Sequence, residues 1–410
     1  MKLQASIFSN SGRLLCRSLS DRPFTFLAGN RSKCKRRDIA GQLSNARGKS
    51  TFTLAETQAD EIYDQAQANA ASFDKKYNLK DHAKFTVPNS VRTLAIVTAS
   101  LEEAMKNGSY ELKSVPNHIP RPPYARTGAV PQPPHHNIIN GEYSLNSLRN
   151  SARLARDVLD IACNSAKAGM TTNELDQIVH DAIISKGAYP SPLNYAGFPK
   201  SVCSSINEVI CHGIPDERPM KRGDLASFDV SCFLDGFHGD NCGSIIVGDE
   251  TMFDLETIDE IEFLSAKEEH LFISGQRLIQ AAQEALDAAI ATCKDGSCLS
   301  DIGGAISSVS DAYGYSSVEK YRGHGVGEHF HCPPFVKHFR NDDYLELKEG
   351  MVFTIEPMLT EARQDCFEWD SDGWTVATKD GGRSAQFEHM VAITKDGAEI
   401  LTLPTPVDEM

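Results

Sequence analysis

Residues 201–247, SVCSSINEVICHGIPDERPMKRGDLASFDVSCFLDGFHGDNCGSIIV, carry the feature that most restricts how this chain can fold. Asp235-Gly236 divides two apolar runs, and it suits a two-residue type I′ turn, which needs positive φ at both central positions. Such a turn pairs Asp229 with Cys242 and Ser231 with Asp240, so Asp229 and Asp240 project from one face as diagonal neighbours. Two carboxylates on one sheet face repel each other unless a cation lies between them. A pair of divalent metal ions meets that need. A solvated polar hairpin face is the plainer alternative, and the hairpin alone leaves both open.

A second stretch repeats the pattern. Lys348–Glu356, KEGMVFTIE, and Lys221–Asp229, KRGDLASFD, both lead from Lys-x-Gly into an apolar strand, with an acid six residues after the glycine. Each is preceded by a His-Gly pair, His212-Gly213 and His324-Gly325. The chain thus reads as a duplicated unit with a histidine and a strand-borne carboxylate in each half. A last strand, SAQFEHMVAIT, adds Glu388. Asp229, Asp240, Glu356 and Glu388 with His324 form a mostly oxygen ligand set, which suits Mn, Fe(II) or Co better than a thiolate-bound structural zinc.

The net charge of −15 disfavours nucleic acid as a direct partner of the main body. No apolar run approaches the ~20 residues of a membrane helix. The charge is uneven: residues 1–50 hold eleven lysines and arginines against two aspartates, a net of +9, which leaves −24 on the rest. This Arg- and Ser-rich start reads as an organelle transit peptide, with the mitochondrion expected before the plastid; a disordered basic tail on a cytoplasmic protein is the alternative. Eleven cysteines without a C-x-x-C give neither a zinc ribbon nor a disulfide framework.

Beyond the leader, residues 51–115 form a partly helical extension with helical runs near 54–73 and 91–105. The proline-dense 116–142 reads as a stiff polyproline linker. From Tyr143 a compact domain is expected to run to 405, followed by a short tail, 406–410. Leu145, Leu148, Ala152, Ala155, Leu159 and Ala162 recur at helical spacing, with Gly169 placed to end that helix. Thr171 and Glu174 form a capping box for a helix through Ile184, closed by Gly187. A long helix is expected over 264–293 and a short one over 301–313. Asp249–Glu262 reads as an acidic surface excursion. Two helix pairs, each preceding antiparallel strands, make an α+β pattern with internal pseudo-symmetry.

With these motifs in place, YAGFPKSVCSSINEVICHGIPD, SFDVSCFLDGFHGD, YRGHGVGEHFHCPP, MVFTIEPM and SAQFEHMV, the chain resembles the type I methionine aminopeptidases over roughly residues 143–405. The resemblance implies the pita-bread fold, an antiparallel sheet covered by two helix pairs with a pseudo-two-fold axis. Only 25 positions separate His331 from Glu356, without room for the helical insertion of the type II enzymes. Departures exist too: Asn241-Cys242 stand where bacterial members carry Thr-Ser, which sets a thiol opposite Asp229 as an oxidation-sensitive neighbour or a tolerated small residue.

The resemblance also implies roles. Asp229 would bind one of two divalent ions (Co, Mn, Fe(II) or Zn), Asp240 and Glu388 would bridge them, and His324 and Glu356 would complete the second site. His212 and His331 would contact substrate near its amine and scissile carbonyl. Tyr195, Phe198, Cys203, Phe330 and Trp374 would line the methionine pocket, and Asn207, Val209 and Ser384 a monovalent-cation site. The expected activity is removal of N-terminal Met from nascent polypeptides whose second residue is small, by a monomer, with ribosome association open. A hydroxide made at the metal pair would attack the carbonyl while Glu356 moves the proton. An Xaa-Pro aminopeptidase and a non-catalytic binding protein of the same fold are the competing readings.

Overall fold

Two helix pairs and two sets of antiparallel strands alternate along the chain in the computed structural model, which describes residues 52–77, 79, 112–248, 262–369 and 372–404. The basic segment 1–50, the helical run expected over 91–105, nearly all of the acidic stretch 249–262 and the tail 406–410 lie outside the described residues.

The helices are α1 (Phe52–Lys76), α2 (Glu142–Ser165), α3 (Thr172–Ser185), α4 (Ala266–Ala291) and α5 (Leu299–Tyr313). The first half then carries β1 (Tyr189–Pro190), β2 (Cys203–Ile206), β3 (Val209–Cys211), β4 (Leu225–Leu234) and β5 (Phe237–Ile246). The second carries β6 (Ser316–Ser317), β7 (Arg322–Gly325), β8 (Cys332–Lys337), β9 (Val352–Ile355) and β10 (Met358–Thr360). It ends with β11 (Cys366–Glu368), β12 (Val376–Thr378), β13 (Ser384–Gln386), β14 (His389–Ile393) and β15 (Ala398–Ile400).

Helix α2 buries Leu148, Ala152, Ala155, Leu159 and Ala162, as their spacing predicts. It stops earlier than Gly169 suggests. Ala166 turns extended and its N–H donates to Ala162 O, so the left-handed glycine falls in the following loop. The capping box of α3 forms on both sides: Glu174 N–H donates to Thr171 Oγ1 at 3.0 Å, and Thr171 N–H donates to Glu174 Oε2 at 2.8 Å. Gly187 follows α3 at φ 72°, its N–H on Ile184 O at 2.9 Å.

The duplication is visible in the backbone. Asp224 N–H donates to Lys221 O, and Met351 N–H to Lys348 O, each closing a turn whose third residue is a glycine at positive φ, 84° for Gly223 and 87° for Gly350. The two turns are then tied down alike. Gly223 N–H bonds Val247 O and Val247 N–H bonds Asp224 O; Gly350 N–H bonds Ile393 O and Ile393 N–H bonds Met351 O. The β4–β5 pair and the β9–β14 pair therefore occupy equivalent places. Sheet β15-β14-β9-β7-β8 forms the second half, and β1-β4-β2 with β5 on β4 the first, all antiparallel.

Two outlying segments pack onto this body. Ala66, Ala70 and Phe73 of α1 are buried in the core shared by α4 and α5, and Arg277 Nε meets Asp74 Oδ1 at 2.7 Å. Residues 112–125, which overlap the stretch read as a stiff linker, are docked. Val115, Ile119 and Tyr124 are buried with Tyr189, Leu193, Tyr195 and Phe330, because three apolar side chains among the prolines find a hydrophobic groove there.

Candidate metal centre and substrate pocket

The β4–β5 hairpin has the predicted register: Asp229 opposes Cys242 and Ser231 opposes Asp240, about a turn with Asp235 at φ 53° and Gly236 at φ 89°. Both carboxylates face inward. Ser231 Oγ donates to Asp240 Oδ1 at 2.7 Å and lies 3.5 Å from Asp229 Oδ1. From the second half, β7 brings His324, β9 leads directly into Glu356, and Glu388 immediately precedes β14. Glu388 N–H donates to Cys242 O at 2.9 Å, which locks the two halves together beside the acids.

Ligand atoms of Asp240, His324 and Glu388 lie within 4.8 Å of one another, all buried. His324 Nε2 is 3.5 Å from Asp240 Oδ2 and 3.7 Å from Glu356 Oε1. Asp229 shares the Ser231 hydroxyl with Asp240, and its charge acts on both Asp240 and Glu356. Burial pushes the Asp229 carboxyl up to about 7. Burial first, then repulsion from Asp240 and its neighbours, raises Glu356 and Glu388 well above the ordinary range, and Asp240 is raised by burial and Asp229. Among the described residues no lysine or arginine pairs with any of the four. Four buried acids beside a neutral imidazole, held near 3 by burial, fit divalent cations bound through oxygen and one nitrogen.

Two glycines explain the repeated His-Gly pairs. A Cβ at Gly213 would meet Ser204 O at 2.1 Å, and one at Gly325 would meet Pro333 O at 2.2 Å. The glycine after each histidine lets a neighbouring backbone approach, which fixes the histidine's place on its strand. His212 itself sits at φ 57°, a left-handed conformation that turns its side chain off the strand line.

Phe198, Cys203, Ile214 and Trp374 form one buried apolar cluster, with Phe198 and Trp374 edge to face at 5.2 Å. Cys203 pairs with Asp229 across β2 and β4, so this pocket adjoins the acids. His212 stands edge-on to Tyr321 at 5.2 Å and 6.3 Å from Trp374. His331 lies 4.1 Å from the His324 ring and its Nδ1 is 2.8 Å from the Tyr195 hydroxyl. Tyr195 and Phe330 belong to a separate aromatic cluster, with both rings against His331. Of the three residues assigned to a monovalent cation, Asn207 and Ser384 are in contact, the Ser384 N–H donating to Asn207 O at 2.9 Å, and Val209 begins β3 two residues on.

Sequence reasoning missed the residues that hold the acids. Thr354 Oγ1 donates to Glu356 Oε1 at 3.2 Å while accepting the His324 N–H at 3.0 Å, and Gln386 Nε2 reaches Glu356 Oε2 at 3.4 Å. Glu356 N–H donates to His338 Nε2 at 3.1 Å. Ser231 and Thr354 each lie two positions from an acid, and the period of two on a strand would have found them. No local signal marks His338.

The sequence profile of metallopeptidase family M24 matches residues 146–395. The chain belongs to this family. It is 44% identical over 288 residues to methionine aminopeptidase 1B, chloroplastic, of Arabidopsis thaliana, across 70% of this chain and 72% of that protein. It is 43% identical to human methionine aminopeptidase 1D, mitochondrial, across 70% and 79% of the two chains. Among solved M24 structures, the methionine aminopeptidase of Rickettsia prowazekii superposes with a TM-score of 0.59 at 41% identity, covering 65% of this chain and 100% of that one. The pita-bread fold and the resemblance to type I methionine aminopeptidases read from the motifs are borne out.

Proposed function

We propose that the buried acid cluster and its flanking histidines remove the N-terminal methionine of nascent polypeptides whose second residue is small. The observation that carries this reading is the convergence of Asp240, His324 and Glu388 within 4.8 Å of one another at the junction of the two halves. The apolar pocket of Phe198, Cys203 and Trp374 adjoins it and suits an unbranched thioether. Asp229, Asp240, His324, Glu356 and Glu388 are the residues that would hold two divalent ions. Such ions, when bound, polarise a carbonyl and lower the pKa of water from about 15.7 towards 7.

The side chains then divide the remaining work. Glu356, steadied by Thr354 and Gln386, receives the proton that the attacking water gives up and passes it towards the departing amine. His331 engages Tyr195 through Nδ1 and presents Nε2 to the scissile carbonyl oxygen, where a donor offsets the charge that builds up. His212, kept neutral by burial with its pKa near 3, orients the scissile amide as a hydrogen-bonding partner. Asn207, Val209 and Ser384 are assigned to a monovalent cation that would steady the strand ends behind the acids. The reading extends to an organellar enzyme acting on proteins made there, mitochondrial before plastid, working as a monomer.

Hydrolysis of Met-Ala-Ser by the purified chain, metal-stripped and resupplied separately with Mn, Co, Fe(II) or Zn, tests the reading. Metal-dependent release of methionine that disappears in Glu356→Gln supports it. Faster cleavage of a peptide with proline in second position would instead make the chain an Xaa-Pro aminopeptidase, and failure to bind any of the four ions would overturn the ligand assignment.

A further inference from the structure

Tyr124 lies in the docked arm ahead of the catalytic domain and has no place in the chemistry described so far. It is 2% exposed, and its hydroxyl donates to Ser191 O at 2.7 Å. Its ring meets Tyr195 edge-on, centroids 4.9 Å apart at 89°, and stacks over His238 at 6.1 Å and 16°. Those two rings reach the substrate side of the site. Tyr195 touches both Phe330, at 5.1 Å, and His331, while His238 stacks on Phe330 at 4.9 Å and 10°.

The arm is built to hold Tyr124 in place. Lys113 pairs with the buried Asp176 at 2.8 Å, Ser114 O is 3.1 Å from His180 Nε2, and Asn194 Nδ2 donates to Ala125 O at 3.1 Å. Arg121 crosses back to the Val115 carbonyl and stiffens the bend between them. Asn194, one residue before Tyr195, is itself left-handed at φ 61°, so the arm grips the turn that aims the Tyr195 ring.

The hydroxyl of Tyr195 has His331 Nδ1 as its partner. With Nδ1 accepting that O–H, the proton of a neutral imidazole sits on Nε2, the nitrogen left to face substrate. A rotation of the Tyr195 ring would break this bond and free His331 both to turn and to change tautomer.

We propose that Tyr124 is a positioning residue for methionine removal: it clamps the Tyr195 ring so that the Tyr195 hydroxyl fixes the tautomer and orientation of His331. The inference rests on the proposed function for its substrate but not for its geometry, and the test separates the two. Met-Ala-Ser hydrolysis by the Mn-loaded full chain is compared for Tyr124→Ala, Tyr124→Leu, Tyr124→Phe, Tyr195→Phe and the Tyr124→Ala/Tyr195→Phe double variant.

Tyr124→Ala and Tyr124→Leu should lower kcat by about tenfold with KM changed less than about twofold, since a misaimed group slows the reaction without loosening the substrate. Tyr124→Phe keeps the ring and should recover most of the loss. In the Tyr195→Phe background, Tyr124→Ala should cost no more than about a further twofold, the non-additivity expected of residues acting through one contact. Should Tyr124→Ala fail to fold, Tyr124→Leu leaves a smaller cavity and makes the same comparison. The ring 15N resonances of His331, identified by difference against His331→Ala, read the tautomer without substrate: an Nε2–H form that is lost in Tyr124→Ala or Tyr124→Leu supports the clamp. Full multiplicative losses in the double variant, or an unchanged His331 tautomer in both ring-less variants, would overturn it, the latter even if the wild-type chain released no methionine.

Discussion

Ser231 donates a 2.7 Å hydrogen bond to Asp240 Oδ1 from the position directly opposite it across the β4–β5 hairpin. The bond spends one lone pair of the acid and points the rest of the carboxylate at His324 and Glu388. Groups that orient metal ligands in this way typically contribute about 10–100-fold to affinity. Ser231→Ala should therefore weaken Mn binding by about tenfold while leaving the fold intact, measured by calorimetric titration with a circular dichroism control. Undiminished affinity would mean that Asp240 is aimed by the strand alone.

The close approach at Gly325 sets a sharper test. A methyl there would overlap Pro333 O at 2.2 Å, whereas at Gly327 nothing lies within 4 Å. Gly325→Ala should cost about 2–3 kcal/mol by forcing β7 and β8 apart, and should weaken metal binding by displacing His324. Gly327→Ala should stay within about 0.5 kcal/mol of the parent in the same thermal melts. Equal effects of the two would remove the link between the His-Gly pairs and strand contact.

Arg277 is buried, its side chain 4% exposed, and Asp74 of α1 is its carboxylate partner, with the Tyr313 carbonyl taking a second hydrogen bond at 2.9 Å. Asp74 is 26% exposed, so water screens part of the interaction. Asp74→Ala should cost about 2 kcal/mol, less than a fully buried pair would, and lower the melting temperature by about 4–8 °C. A shift under about 1 °C would show that α1 rests on the domain without supporting it.

The acids predict how metal binding depends on pH. Asp229 is raised from 3.8 to about 7, and Asp240, Glu356 and Glu388 are raised too, all by burial first. A carboxyl whose folded pKa exceeds its unfolded one binds more protons folded than unfolded, so it lowers stability as pH rises from about 4 through about 7. His324 and His338, lowered from 6.5 to about 3, act the other way: their contribution is complete above 6.5 and is lost as pH falls towards 3. A divalent ion must displace the carboxyl protons, so the stabilisation given by saturating Mn should grow between about pH 5 and 8. Melting temperatures with and without Mn across that range check it, and an increment that shrinks as pH rises would contradict the protonated cluster.

Much of the site was legible because its information is local. Asp235-Gly236 sets the hairpin register, and the register alone places Asp229 and Asp240 on one face. The two Lys-x-Gly turns repeat in sequence and then in hydrogen bonding, so the duplication survived translation into structure. The docked arm was not legible. Its prolines suggest an extended spacer, and nothing near Tyr124 in sequence shows that Tyr195 and Ser191 will receive it. Gly169 misled for a related reason: a glycine permits a left-handed helix end, but the chain had already stopped at an extended Ala166.

The division of the proposed ligands between the halves bears on when this chain could begin to work. The hairpin acids Asp229 and Asp240 are made close together, but His324, Glu356 and finally Glu388 follow much later in synthesis. A chain cut short before Glu388 would carry Asp229 and Asp240 without the acid whose N–H bonds Cys242 O and joins the two halves beside them. Under the proposed ligand set, the last acid to be synthesised completes the metal centre, so an unfinished copy would lack the means to cleave anything.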